Sequence, residues 1–274
     1  MSWYAGLSWD GGEIEIGDGS THTGFNASSS GIEGWYSTPP AKWSLTERSI
    51  SDGAFIPDEA DIIYSARTVT LGLIIEGSSR DELVTNQLAL LEAAHHMCTL
   101  VVADGSHKTY VEGLLTVADS AGTISNTKAE VEITLECPDP RRLAAPNTDG
   151  CHVVYAYTDS TVDNSTTIGG ITKCYPVIVV SGDMASGFQI TMSRWISSSD
   201  TRNYATYYTN AVTSDYPVTL DYRNGRALVN DVDYSKYLTQ RGFVGLDPGN
   251  IATFGLYAGD GSGTAKITLC DAYI

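Results

Sequence analysis

The sequence predicts a mainly β protein of two β-sandwich-type domains, the first with one flanking α-helix. Three observations carry this. Several short stretches alternate apolar and polar residues at period two, a single stretch has a helical period, and a proline-rich break near residue 145 separates regions of different composition. At 274 residues the chain is long enough for two cores of ordinary size.

Residues 11–40 are rich in Gly and Ser, with only Ile14, Ile16, Trp35 and Tyr36 as anchors, and read as a long loop, equally an interface segment or disorder. Residues 66–76 form a half-buried strand, with Val69, Leu71, Leu73 and Ile75 on one face. Ser79 and Glu82 have the spacing of a capping box, and Val84, Leu88, Leu91 and His95 follow as the apolar stripe of a helix of about five turns. Residues 99–103 and 110–117 pair as a hairpin turning at Asp104-Gly105. Residues 129–137 alternate most cleanly: Val131, Ile133, Leu135 and Cys137 face the core, opposite Glu130, Glu132, Thr134 and Glu136. Pro138 and Pro140 then forbid a continuing ladder, and the composition through Gly150 is that of a linker, which sets the domains at 1–145 and 146–274. Beyond it only strands appear, at 151–157, 175–181, 188–193, 217–222, 227–230, 252–257 and 265–269. Asn224-Gly225 is the signal of a type I′ hairpin turn, which needs positive φ at both residues.

Acidic residues outnumber basic ones 33 to 16, a formal charge of −17, which repels nucleic-acid phosphate and anionic membrane surfaces alike. No run reaches the ~18 apolar residues of a membrane span. Met1 to Gly6 lacks the basic and apolar regions of a secretory signal, so synthesis in a cytoplasm is the expectation. Five dispersed cysteines, with no CxxC pair, read as free core thiols. The histidines His22, His95, His96, His107 and His152 have no metal-ligand spacing, and neither a nucleophile elbow nor a phosphate loop occurs, so no catalytic residue, cofactor or metal is expected. Asp231, Asp233 and the run 259–263 read as solvated turns rather than calcium loops. Arg202, Tyr204, Tyr207 and Tyr208 cluster in an expected loop as candidate contacts for a glycan or partner, with core or edge packing as the plainer reading.

Across nearly its whole length the chain resembles the distal tail proteins, or minor tail proteins, of bacteriophages with long non-contractile tails. The resemblance rests on Gly6-Leu7-Ser8-Trp9-Asp10-Gly11, Glu33-Gly34-Trp35-Tyr36, Ala66-Arg67-Thr68-Val69-Thr70-Leu71 and the strand exit Leu135-Glu136-Cys137-Pro138-Asp139-Pro140-Arg141-Arg142. It continues through Tyr175-Pro176-Val177-Ile178, the Asn224-Gly225 hairpin and Gly245-Leu246-Asp247-Pro248-Gly249-Asn250, although Val229-Asn230-Asp231-Val232 replaces an expected second Asn-Gly turn. It implies a ring-forming first domain and a galectin-like or carbohydrate-module-like second one. It further implies a homo-hexamer at the tail tip joining tail-tube, tape-measure and tip or receptor-binding proteins, within a virion assembled in the host cytoplasm. DNA would pass through without stable binding, no membrane would be involved, and no reaction is implied. Glu130, Glu132 and Glu136 would then be channel-lining candidates, and a host glycan a ligand of the second domain. The rival readings are a monomeric carbohydrate-binding or adhesin module and, third, a glycosidase, whose acid pair is a spatial rather than a sequence feature.

Overall fold

The computed structural model describes residues 4–17, 24–44, 46–55, 62–158, 165–197 and 200–274. It divides into two compact units, Met1–Leu143 with Ile274, and Ala144–Tyr273.

In the first unit the elements are β1 (Tyr4–Trp9), β2 (Gly12–Gly17), β3 (Gly24–Glu33), the short pair β4 (Thr46–Glu47) and β5 (Ala54–Phe55), β6 (Arg67–Glu76), α1 (Arg80–Ala93), β7 (Met97–Asp104), β8 (His107–Ser125) and β9 (Lys128–Cys137). Seven strands pair in the order β8-β7-β1-β2-β3-β6-β9, and β9 pairs back onto β8. This is a closed barrel and not the sandwich expected from the alternation. Period two marks which face is apolar in either architecture, whereas closure depends on β8. Its 19 residues pair with β7 over His107–Leu114 and with β9 over Leu114–Ser125. Leu7, Ile16, Leu71, Leu100, Val111 and Ile133 point inward and are buried.

Two further expectations are corrected here. Part of the supposed loop 11–40 is β2 and β3, which run parallel to each other through Ile16–Phe25 and Gly17–Asn26. His22, with residues 1–3 and 18–23, lies outside the described residues. On α1, which has 14 residues and so about four turns, the buried residues are Leu83, Leu90 and Ala93. Val84, Leu88 and Leu91, the expected core stripe, are exposed. The helix is apolar over a wide arc, and spacing alone does not say which edge of that arc meets the barrel. Its start is as read: Ser79 Oγ accepts from the Glu82 amide at 3.2 Å, and the Glu82 carboxylate accepts from the Ser78 amide at 2.7 Å.

The segment after β9 is not a bare linker. Asp139 accepts from the amide and guanidinium of Arg141 at 2.8–3.0 Å, β10 (Arg142–Ala144) follows, and Ala144 and Ala145 are buried.

The second unit contains β11 (Cys151–Tyr157), β12 (Ser165–Thr167), β13 (Val177–Asp183), β14 (Phe188–Ser197), β15 (Asp200–Tyr208), β16 (Val218–Asp221), β17 (Arg226–Val229), β18 (Val232–Asp233), a 3-10 turn (Ser235–Tyr237), β19 (Leu238–Gln240), β20 (Ile251–Tyr257), β21 (Ser262–Cys270) and β22 (Ala272–Tyr273). The strands β11 to β21 form a six-stranded sheet, β11-β21-β13-β16-β17-β18, and a five-stranded sheet, β12-β20-β14-β15-β19. Alternate residues are buried in both, including Ile178, Val180, Leu220 and Ile267 in the first and Ile190, Met192, Thr206 and Leu256 in the second. The Thr206 hydroxyl meets the Tyr222 hydroxyl at 3.3 Å in this buried layer. Burial pushes the Tyr222 phenol up to about 12.

The turn chemistry differs from the expectation at one hairpin. β16 and β17 pair through Asp221–Arg226, so Tyr222–Gly225 is a four-residue loop in which Gly225 has positive φ and Asn224 does not. Asp221 closes it by accepting from the Asn224 amide at 3.0 Å. The two-residue turn with both φ positive is Asn230-Asp231, at 49° and 63°, joining Val229 to Val232. The asparagine and aspartate that replace an Asn-Gly pair thus perform its task.

The cysteine expectation is also revised. Cys98, Cys137 and Cys174 are free and buried, but Cys151 and Cys270 lie directly opposite each other on β11 and β21 and are joined as a disulfide. Their separation of 119 residues hid the pairing, because strand register is a tertiary fact.

Candidate functional site

Three segments that carried the family resemblance meet at one side chain. Arg67 opens β6 and is 1% exposed. Its Nε donates to the Pro140 carbonyl oxygen at 2.7 Å, and its Nη1 donates to the carbonyl oxygens of Trp35 (3.2 Å), Ser37 (2.9 Å) and Gly34. The guanidinium therefore ties the start of β6, the Gly34–Ser37 bend and the exit of β9 together by its forked donors. Burial, then the nearby Arg142 charge, holds its pKa below the usual arginine value. Arg142 packs over the rings of Trp35 and Tyr36 at 5.7 and 5.2 Å. Tyr36 donates to Asp104 at 2.6 Å, and its phenol is pushed up to about 12 by burial and by that carboxylate. Gly34 is required at the bend: its φ is 76°, and an added Cβ would lie 2.1 Å from the Thr68 carbonyl oxygen.

The acidic strand candidates lie on the outside of the barrel. Glu130, Glu132 and Glu136 alternate with the buried Val131, Ile133 and Leu135 of β9. Their neighbours on the same face are small or uncharged: Ile74 and Gly122 beside Glu130, Gly72 and Ala118 beside Glu132, Thr68 and Leu114 beside Glu136. Among the described residues none of the three is ion-paired, and the pair Lys128–Glu76, at 2.7 Å, sits at the strand end.

The helix α1 presents an unburied apolar edge. Val84, Leu88 and Leu91, with Ile75, Val117 and Val131 behind them, bound an apolar groove of about 350 Å3. Leu88 is 60% exposed.

In the second unit the tyrosine candidates are on a strand rather than the expected loop, and the strand separates them. Arg202, Tyr204 and Tyr208 share one face of β15 with the buried Thr206, while Tyr207 points to the other. Tyr208 is buried and stacks on Phe188 at 5.4 Å, so it is core. Arg202 is exposed and lies 3.7 Å from Asp200. The four therefore form no single contact cluster. Among the described residues, no three His, Cys, Asp or Glu side chains converge to hold a metal ion.

No family model and no curated protein matches the chain. Solved structures do match over its full length. It is similar to the crystal structure of the SPP1 Dit protein (gp 19.1), described as a paradigm of the hub adsorption apparatus in phages infecting Gram-positive hosts, with 14% identity, a TM-score of 0.55 and 100% of both chains covered. It is also similar to a chain of the phage P2 baseplate in its activated conformation with calcium, at 9% identity and a TM-score of 0.56 over 99% of this chain and 98% of that one. The corresponding strontium structure gives 8% identity and 0.55 over 98% of each chain. The resemblance to distal tail proteins drawn from the sequence is thus present in the fold, through both units.

Proposed function

We propose that this chain is a structural virion protein of a long phage tail. In this reading six copies form a ring at the distal end of the tail, joining the tail tube to the baseplate or tip and serving as a hub for host-attachment proteins. The observation that carries it is the full-length fold likeness to a hub protein and to baseplate chains. The exposed apolar edge of α1 supports it, since a heterologous contact repeated around a closed ring buries the same edge on every subunit. The first domain, 1–145, is the ring-former, and the second, 146–274, is a galectin-like sandwich carrying peripheral contacts.

Glu130, Glu132 and Glu136 face the bore in this proposal. At −17 per chain, a ring lined by such a strand repels passing DNA and keeps it from adhering to the wall. The protein acts by assembly, without turnover of substrate and without cofactor.

The test is purification of the chain alone and with its tail-tube partner, followed by light scattering and negative-stain microscopy. Closed rings of six are expected. A monomer under both conditions overturns the ring and favours the rival monomeric binding module. Rings whose bore is neutral or basic, with the three glutamates outside, overturn the assignment of the wall alone.

A further inference from the structure

The geometry points to a second copy of this chain as the occupant of the open side of β11, paired with it as an antiparallel strand about a twofold axis at Tyr155. Among the described residues β11 ends the six-stranded sheet and pairs only with β21. The other strands that end the two sheets of the second unit, β12, β18 and β19, are two or three residues long, whereas β11 has seven. Proteins blunt an exposed edge by shortening it or by placing Lys or Pro on it. Cys151–Tyr157 carries no proline and no Lys, Arg, Asp or Glu.

The register decides which backbone groups face the open side. Thr158 continues the register of β11, and its amide donates to the Gly263 carbonyl oxygen at 3.3 Å. At the other end the Asp271 amide donates to the Gly150 carbonyl oxygen at 2.7 Å. Hydrogen-bonded pairs alternate along an antiparallel ladder, so the even-numbered residues between these two bond to β21. Val153, Tyr155 and Tyr157 therefore turn their N–H and C=O groups to the open side. Cys151 does the same, and its amide donates to the Thr148 carbonyl oxygen at 3.0 Å. The side chains of Val153, Tyr155 and Tyr157 are exposed on one face of the strand, with the two tyrosine rings stacked at 6.5 Å. Backbone and side chains together call for a strand with apolar side chains at alternate positions.

β11 meets that description itself. An antiparallel copy centred on Tyr155 sets Tyr155 against Tyr155 of the second copy, and Val153 against Tyr157 of the second copy. Each pairing joins residues whose backbone groups point outward, so the hydrogen bonds are reciprocal, and aromatic and β-branched side chains meet as cross-strand pairs. With no Lys, Arg, Asp or Glu on the strand, no such like charges come opposite each other. The two surfaces are identical, so the contact closes on itself at one pair instead of growing into a fibre. Neighbours in a ring of six are related by a sixfold rotation, so this twofold contact differs from the one proposed for α1, and where rings form it joins ring to ring. Each copy carries −17, so screening by salt tightens the pairing.

The experiment replaces Tyr155 or Tyr157 by Cys in the full chain and oxidises with diamide. Cys98, Cys137 and Cys174 are buried and Cys151 is bridged to Cys270, so the new thiol is the exposed one. At the axis the two Cα atoms of a hydrogen-bonded pair lie about 5.5 Å apart, within disulfide reach, and Tyr155→Cys should give a covalent dimer. Two copies of Tyr157→Cys are four positions out of register, about 13 Å apart, and should not crosslink. On the unsubstituted chain, sedimentation should show the species present doubling with concentration, more readily at higher salt. The amides of Val153, Tyr155 and Tyr157 should exchange fast in dilute solution and slowly when paired. Tyr155→Pro, which removes an outward N–H, should weaken the doubling about tenfold or more with an unchanged melting curve. Absence of a Tyr155→Cys dimer up to about 1 mM chain overturns the proposal. So does equal crosslinking of both Cys variants, slow exchange of these amides in dilute chain, or pairing that Tyr155→Pro leaves intact. Leu88→Glu, aimed at the contact proposed for the ring, should leave the Tyr155→Cys dimer in place, so failure of the ring and failure of this pairing are read separately.

Discussion

Arg67 donates to the carbonyl oxygen of Pro140 at 2.7 Å across 73 residues of chain, joining the first residue of one barrel strand to the turn that leaves the last. Replacing it by Ala strands the Gly34, Trp35, Ser37 and Pro140 carbonyls beside a cavity. We expect Arg67→Ala to cost ~3–5 kcal/mol in urea unfolding, the scale for deleting a large buried side chain and leaving several carbonyl acceptors without their donor. Arg67→Lys should recover less than half of this, because an ammonium cannot reproduce the guanidinium fork.

The Cys151–Cys270 bridge closes a loop of 119 residues, nearly the whole second unit. In the chain-entropy account, reduction or a Cys151→Ser/Cys270→Ser double variant should destabilise that unit by about 5 kcal/mol. Thiol titration of the unreduced, unfolded chain should find the three free cysteines, Cys98, Cys137 and Cys174, and all five after reduction.

Leu88 projects from α1 into solvent. Leu88→Glu should change the stability of the isolated chain by no more than about 0.5 kcal/mol, as for other exposed positions. If the proposed ring covers this edge, the same change abolishes rings in negative stain while the circular dichroism melt stays put. Intact rings would place the subunit contact elsewhere.

Tyr222 ties alkaline stability to a buried phenol. Its folded pKa of about 12 exceeds the ordinary 10.0, so the folded chain keeps the proton that the unfolded chain gives up. Its contribution is fully present below pH 10 and is lost as pH rises toward 12, at ~1.4 kcal/mol per pH unit for this one group. Tyr222→Phe should remove one proton's worth of that slope in denaturant titrations at pH 10 to 12. Below pH 10 it should cost only about 1 kcal/mol, for the lost hydrogen bond with Thr206.

The sequence by itself determined the β class, the single helix and its Ser79–Glu82 start, the inward faces of β6 and β9, and most of the strands of the second unit. Those features rest on local periodicity and capping, which neighbouring residues settle among themselves. It also carried the motifs around Gly34, Arg67 and Pro140, but not the reason they travel together. Only the tertiary structure decided that β8 bridges β7 to β9 and closes a barrel, and that α1 turns Leu83 and Leu90 inward and leaves Leu88 out. The same holds for the meeting of Cys151 with Cys270 and for the division of Tyr207 from Tyr208 across a sheet. In each case the deciding contact lies far along the chain, and alternation tells a strand which residues share a face without telling it which strand will lie beside it.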